Sequence, residues 1–117
     1  MKVNVYLRLG KELTKATQAT ITEVFQSNNL EINDDKPTGK DKVAFIIKKN
    51  VADQEQFVEC VYKTLQSIPK LYVVAPQKCL DRVKHHPGVH CFDSQILNDP
   101  EEGINNIIQF AYHGRPL

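Results

Sequence analysis

The side chains of this sequence that are best suited to bind a metal lie in one stretch of the chain. This stretch contains Cys79, His85, His86, His90 and Cys91, and zinc sites are built from cysteine and histidine. The spacing matches no common zinc pattern, and the sequence has no CxxC pair. His90 and Cys91 are adjacent, so on a strand they would point to opposite faces. We therefore predict no metal site, with Cys91 in the core and His90 at the surface.

A cysteine nucleophile is the second chemistry that the sequence allows. Cys79 follows a predicted strand end and could lie near a helix N-terminus, where a thiolate is stabilised. The histidines that could act as its base are His85, His86 and His113. No pattern places any of them beside the thiol, and free cysteines are mostly buried as small apolar side chains. We therefore expect Cys79 and Cys60 to be packing residues, and we assign no catalytic residue.

The most polar segment runs from Asn33 to Lys42, and its Pro37 and Gly39 indicate an exposed loop. Its carboxylates could bind a cation or act as acids; they belong to Asp34, Asp35 and Asp41. Lysines are interspersed with them, so a solvated loop of mixed charge is the simpler interpretation. A connection of this length without secondary structure is unusual in a small domain, and such loops often bind partners. Asp34, Asp35 and Lys36 are therefore candidate binding residues.

Gly10 and Lys11 follow the first predicted strand. At a helix N-terminus they could bind phosphate through free backbone N–H groups and the helix dipole. The segment matches neither GxGxxG nor GxxxxGK[ST], so a glycine that simply ends a strand is the alternative. The only concentrated positive patch consists of Lys40, Lys42, Lys48 and Lys49. It could contact phosphate or an acidic partner, or it could solubilise the rim of a buried strand.

Length and composition narrow the class of protein. The 117 residues fit one domain, residues 1–117, which can bury a core without metals or disulfides. A net charge of +1 gives no basic surface for nucleic acid. No apolar run approaches the roughly 18 residues of a membrane span, and the N-terminal pattern is that of a strand rather than of a secretory signal. Three unpaired cysteines then indicate reduced thiols. We expect a cytoplasmic protein that binds neither nucleic acid nor membranes.

The element around which the fold is predicted to form is Val43-Ala44-Phe45-Ile46-Ile47. An unbroken apolar run of mostly β-branched or aromatic residues is typical of a strand buried on both faces. The other predicted strands are Val3–Leu9, Leu30–Ile32, Leu71–Ala75 and Val89–Phe92. Helices are predicted from about Lys11 to Ser27, from about Asp53 to Ser67, briefly around Cys79 to Val83, and from Pro100 to a stop at Gly114.

This alternation of strands and helices predicts an α/β fold. Right-handed crossovers would place helices on both faces of the sheet. We therefore predict a three-layer αβα domain with a five-stranded, mainly parallel sheet in the flavodoxin-like order 2-1-3-4-5. Ligands of such sheets bind beyond the carboxyl ends of the strands. The residues that would line that cleft are Gly10, Lys11, Thr14, Lys48, Asn50, Gln77 and Ser94.

Two functional hypotheses follow. The first is a non-catalytic protein-interaction or signalling module that uses the Asn33–Lys42 loop. The predicted architecture is similar to that of TIR-type signalling domains, but Pro37-Thr38-Gly39 lacks the adjacent Pro-Gly of their loop, and we assign no family. The alternative is a small enzyme, or a protein that binds a nucleotide or another phosphate-bearing ligand in the cleft. No cofactor is predicted, and the oligomeric state is left open.

Overall fold

Residues 3–113 are described by the structure, a computed structural model, with the exception of the side chain of residue 113. The strands in this range are β1 (Val3–Leu9), β2 (Leu30–Asn33), β3 (Val43–Ile47), β4 (Leu71–Ala75) and β5 (Val89–Asp93). The α-helices in it are α1 (Lys15–Ser27), α2 (Gln54–Ser67), α3 (Gln77–Leu80) and α4 (Pro100–His113), and a 3₁₀ helix spans Ser94–Asn98. The predicted stop of the last helix, Gly114, lies outside the described residues.

The five strands form one parallel sheet in the order β2-β1-β3-β4-β5. This confirms the predicted fold class and the flavodoxin-like strand order. The strand β3 lies at the centre and pairs with β1 on one side and β4 on the other. Its side chains are buried on both faces, with Phe45 and Ile47 each 1% exposed and Ile46 0% exposed. The interpretation of the Val43–Ile47 run as the central strand is therefore confirmed.

Each face of the sheet has its own apolar cluster and its own helices. On the first face, α1 and α4 pack on the strands; the strand residues of that cluster include Val5, Leu7, Phe45, Ile47, Tyr72 and Val74. On the second face, α2 and α3 pack on a cluster whose strand residues include Tyr6, Ala44, Ile46, Leu71, Val73 and Ala75. Alternate residues of each strand point to opposite faces, so the two clusters share the same strands. The result is the three-layer arrangement of helices, sheet and helices.

Side-chain caps mark where three of the helices begin. The Asp53 carboxylate accepts from the Gln56 N–H at 3.1 Å, and the Asp99 carboxylate accepts from the Glu102 N–H at 3.3 Å. Both are predicted N-caps, and the helices α2 and α4 follow them. The prediction that α1 starts at about Lys11 is wrong. The Thr14 hydroxyl accepts from the Thr17 N–H at 3.1 Å and caps a helix whose first residue is Lys15.

The connection from β2 to β3, all of which lies within the described residues, contains no helix. The strand register explains why. Asn33, the last residue of β2, lies opposite Tyr6 of β1, and Ala44 of β3 lies opposite the same tyrosine on the other side. The end of β2 and the start of β3 are therefore nearly level, and the chain needs only to cross β1. A crossover that had to return along the whole strand would need a longer segment, usually a helix.

One carboxylate holds this connection in place. Asp41 is 3% exposed, and its Oδ2 accepts from the Asn33 amide at 2.7 Å, from the Thr38 N–H at 3.0 Å and from the Thr38 hydroxyl at 3.1 Å. A buried carboxylate is stabilised by such donors. The expectation that Asp41 belongs to a solvated loop is therefore wrong, although Asp34 and Asp35 are exposed as expected.

Candidate functional site

The depression that gathers most of the predicted residues lies on the second face, between α2 and the β2–β3 connection. It consists of two adjoining pockets of about 430 Å³ and 370 Å³. The residues that line both are Tyr6, Arg8, Asp35, Gln56 and Cys60. We call the combined surface the Arg8 trough. Tyr6 and Arg8 of β1 form its floor, α2 forms one wall, and Asp34 to Pro37 form the other.

Six of the seven predicted binding residues line this trough. Lys11, Asp34, Asp35, Lys48 and Asn50 line the pocket at the carboxyl ends of the strands, and Lys36 lines the second pocket. They meet because β1, β2 and β3 are neighbours in the sheet. Gly10 and Thr14 do not line the trough. Gln77 and Ser94 do not line it either; they follow β4 and β5, the two strands at the opposite edge of the sheet from β2. Whether the six residues bind a ligand remains a prediction.

Gly10 takes part in a structural contact rather than a phosphate cradle. Its N–H donates to the Ile47 carbonyl at 2.9 Å. The Glu12 carboxylate packs against Gly10, where a Cβ would collide with it, and accepts from the Lys49 N–H at 2.8 Å and the Asn50 N–H at 3.4 Å. Because α1 begins only at Lys15, Gly10 is not at a helix N-terminus. The geometry thus agrees with a glycine that ends a strand.

The floor of the trough carries two polar groups that the sequence analysis missed. Arg8 is exposed and forms no ion pair with any residue between 3 and 113. Tyr6 is 3% exposed and lines both pockets, but its hydroxyl has no hydrogen-bond partner in that part of the chain. The sequence signal that could have revealed them is the alternation of side chains along β1, which places Tyr6 and Arg8 on the same face of the sheet. No crossover helix between β2 and β3 covers Arg8 on that face.

The trough carries equal numbers of basic and acidic side chains. Its basic residues are Arg8, Lys11, Lys36, Lys48 and Lys63, and its acidic residues are Glu12, Asp34, Asp35, Asp53 and Glu59. Glu12 and Asp53 accept backbone N–H groups, whereas Asp34, Asp35 and Glu59 accept no hydrogen bond from the described residues. The surface offered to a ligand is therefore of mixed charge.

The predicted four-lysine patch is divided by the strand that it flanks. Lys40 and Lys42 precede β3, whereas Lys48 and Lys49 follow it. The five residues of β3 lie between Lys42 and Lys48, which places the Cα atoms of these two lysines roughly 20 Å apart. Of the four lysines, only Lys48 lines the trough. The interpretation as one concentrated patch is therefore wrong.

The cysteines and histidines do not assemble into a reactive site in the described range. Among residues 3–113, no three side chains of histidine, cysteine, aspartate or glutamate are grouped so as to hold a metal. Cys79 is 0% exposed, and burial raises the pKa of its thiol, which disfavours the nucleophilic thiolate. Its interpretation as a packing residue is confirmed.

His90 and Cys91 face opposite sides of the sheet, as predicted. Cys91 packs against the second-face cluster. His90 is half-buried rather than exposed, and its ring stacks on Tyr72 with the centroids 4.7 Å apart. The expectation of a surface histidine is therefore wrong. The register explains the contact, because His90 lies opposite Tyr72 on the neighbouring strand. Burial, together with the charge of Lys70, lowers the pKa of His90.

No protein-family model, curated protein or solved structure matches this chain. Within residues 3–113, none of the helices is both long and apolar enough to cross a bilayer. The case for a function therefore depends on the geometry of the trough.

Proposed function

We propose that this protein is a non-catalytic protein-interaction module and that the Arg8 trough is its binding surface. The observation that carries the proposal is the part of β1 around Arg8, which no crossover helix covers. In a doubly wound fold, the crossover helices cover both faces of the sheet. Here the β2–β3 connection has no helix, and the exposed Arg8 lies in a trough beside α2. A partner could supply the cover that the chain itself lacks.

The alternative of a small enzyme has less support. Nucleophilic catalysis needs a nucleophile within hydrogen-bond reach of its base. Among the described side chains, residues 3–112, no hydrogen bond joins a serine, threonine or cysteine to a histidine, and Cys79 is buried; the side chain of the candidate base His113 lies outside this range. The exposed carboxylates Asp34 and Asp35 line the trough, but they lie on an open surface rather than in a closed pocket that would exclude water from a reaction.

Binding of a phosphate-bearing small molecule is the second candidate. The grouping of Arg8, Lys11 and Lys48 around one pocket favours it. Against it, three of the backbone N–H groups that follow β1 and β3 are already bonded. Those of Lys49 and Asn50 donate to Glu12, and that of Gly10 donates to Ile47. A trough whose lining carries charges of both signs suits the side chains of a protein partner better.

Site-specific photocrosslinking tests the proposal. A photoreactive amino acid is placed at Gln56, in the trough, and in a matched control at Lys15, on α1 on the first face. After irradiation in an extract of the native host cell, we expect a discrete heavier adduct from position 56 and none from position 15. Equal yields at the two positions, or no adduct from position 56, would contradict the proposal.

The loop side chains provide the second arm of this experiment. Asp34, Asp35 and Lys36 are exposed, and exposed charges contribute at most about 1 kcal/mol per pair. Replacing all three by alanine should therefore barely alter stability, yet it should reduce the adduct from position 56. An unchanged adduct with the triple variant would show that this wall of the trough does not contact the partner.

A further inference from the structure

We propose that the Arg8 trough binds an acidic peptide segment of a protein partner, and that Arg8 and Tyr6 together anchor one aspartate or glutamate side chain of that segment. This inference rests on the proposed function and specifies the chemistry of the partner. The guanidinium would donate a pair of hydrogen bonds to the carboxylate, and the Tyr6 hydroxyl would donate a third. Arg–carboxylate pairs are frequently bidentate, and such charge-assisted bonds are the strong ones.

Both anchoring groups are held on rigid backbone. Tyr6 and Arg8 are two residues apart on β1, so their side chains leave the same face of the sheet roughly 7 Å apart at the backbone. This strand is paired on both sides, with β2 and β3. Because the backbone of β1 is already fixed by its two neighbours, little ordering is needed when a ligand binds, which reduces the entropic cost of association.

The Tyr6 hydroxyl is the observation that points most directly to a ligand. Only 3% of the residue is exposed, and the hydroxyl of a tyrosine buried to that extent normally finds a hydrogen-bond partner. Within residues 3–113 it has none. Tyr6 lines both pockets, and its hydroxyl is not closed off from solvent. The hydroxyl is therefore a donor on a residue of the trough floor with no acceptor among the described residues.

The length of the trough favours a peptide over a small anion. The wall formed by α2 runs from Asp53 to Thr64, which is about 16 Å at the rise of an α-helix. An extended segment of about five residues has that length. Lysines and carboxylates line both ends of the trough. The anchored position of the segment is therefore expected to be acidic, whereas its neighbours can carry either sign of charge.

A peptide selection tests the inference while the partner itself is still unidentified. A displayed library of random dodecapeptides is selected on the folded full-length protein, and the enriched peptides are synthesised for fluorescence-anisotropy titrations. We expect a consensus with aspartate or glutamate at one fixed position. Replacing that residue by its amide should weaken binding about tenfold or more, the usual effect of losing hydrogen bonds to a charged group.

Variants of the floor identify where the acidic residue binds. Arg8→Gln should weaken binding about tenfold or more, Arg8→Lys should weaken it less because the charge remains, and Tyr6→Phe should weaken it a few-fold. Lys15→Gln, on the opposite face, is the matched control and should bind like the wild type. Each variant is accepted only if its melting temperature is close to that of the wild type. Because Arg8 is exposed, we expect its replacement to leave the protein folded.

Several results would overturn the inference. One is a consensus without a fixed acidic residue, and another is an acidic consensus that binds wild type and Arg8→Gln equally well. Inorganic phosphate that displaces the peptide at micromolar concentration would instead identify a small-anion site. If Gln56 still crosslinks a partner while the selected peptides are not acidic, the protein-interaction function stands and the acidic anchor fails. If neither crosslinks nor an enriched peptide appear, both proposals fail.

Discussion

The aspartates of the β2–β3 connection have one kind of side chain and two environments. Asp34 and Asp35 are exposed, whereas Asp41 is buried and accepts three hydrogen bonds. Composition alone predicts the same solvated role for all of them. The difference depends on Asn33 and Thr38, which converge on one carboxylate only after the chain has crossed β1. A sequence pattern cannot show this convergence, because it is created by the register of two strands.

Asp41→Ala should lower the free energy of unfolding by roughly 2–4 kcal/mol. The substitution removes bonds to a charged acceptor and leaves the Thr38 N–H without a partner, while the Asn33 amide keeps only its bond to the Lys36 carbonyl. Urea denaturation measures the loss, and the matched control is Asp34→Ala, which should cost less than about 0.5 kcal/mol. Similar losses for the two variants would show that Asp41 does not organise the loop.

His90 should make the stability of the protein depend on pH. Burial lowers its pKa below the ordinary value of 6.5, so the unfolded chain binds a proton more readily than the folded protein. Stability should therefore fall as the pH drops below about 6.5 and level off below the pKa of the folded state. Urea denaturation between pH 7.5 and 5 should give a steeper decline for the wild type than for His90→Gln. Parallel curves would contradict the prediction.

At the scale of secondary structure, the elements with strong local signals are the ones that the sequence predicts best. The strand β3 has an unbroken apolar run, and α2 and α4 each begin after a capping aspartate. The sequence pattern places the start of α1 too early, because Thr14 rather than Gly10 provides the cap. It does not predict the 3₁₀ helix at Ser94–Asn98. This helix packs closely against α4. A Cβ at Gly103 of α4 would collide with the Ile96 carbonyl of the 3₁₀ helix.

Phe45→Ala should destabilise the protein by roughly 3–5 kcal/mol, the range for truncation of a buried aromatic residue. The ring meets Phe25 edge-on at 4.9 Å and stacks on Tyr72 at 5.4 Å between centroids, so its removal leaves a cavity at the centre of the sheet. Tyr62→Ala on α2, where the residue is 39% exposed, is the control and should cost under about 1 kcal/mol. A loss that small for Phe45→Ala would refute the central position of β3.

For the whole molecule, the rule that ligands gather beyond the carboxyl ends of parallel strands predicts six of the residues that line the trough. It does not predict Tyr6 and Arg8, which lie within β1. Their role depends on whether a helix covers the second face, and this follows from the offset between β2 and β3 rather than from a local pattern. The residues at the strand ends follow from the strand order and could therefore be predicted from the sequence. The exposure of Arg8 beside Tyr6 follows from the register of β2 and β3 and could not.

Removal of metal should leave the folded protein unchanged. Two apolar clusters share the sheet, and a core of this size does not need a metal to fold. Treatment with a chelator followed by thermal denaturation should give the same melting temperature as the untreated protein. Stoichiometric zinc in the purified protein, with unfolding on its removal, would contradict this expectation.

The level ends of β2 and β3 also bear on how this protein could evolve. The trough exists because the chain crosses β1 without a helix, and the hydrogen bonds that Asp41 accepts from Asn33 and Thr38 hold this connection in place. The side chains that line the trough, such as Arg8, Lys36 and Lys63, are exposed and contribute little to folding. The chemistry of this surface can therefore change by single substitutions while the scaffold persists. A slip of β2 by a few residues would instead demand a longer crossover, and a helix within that crossover would cover the trough.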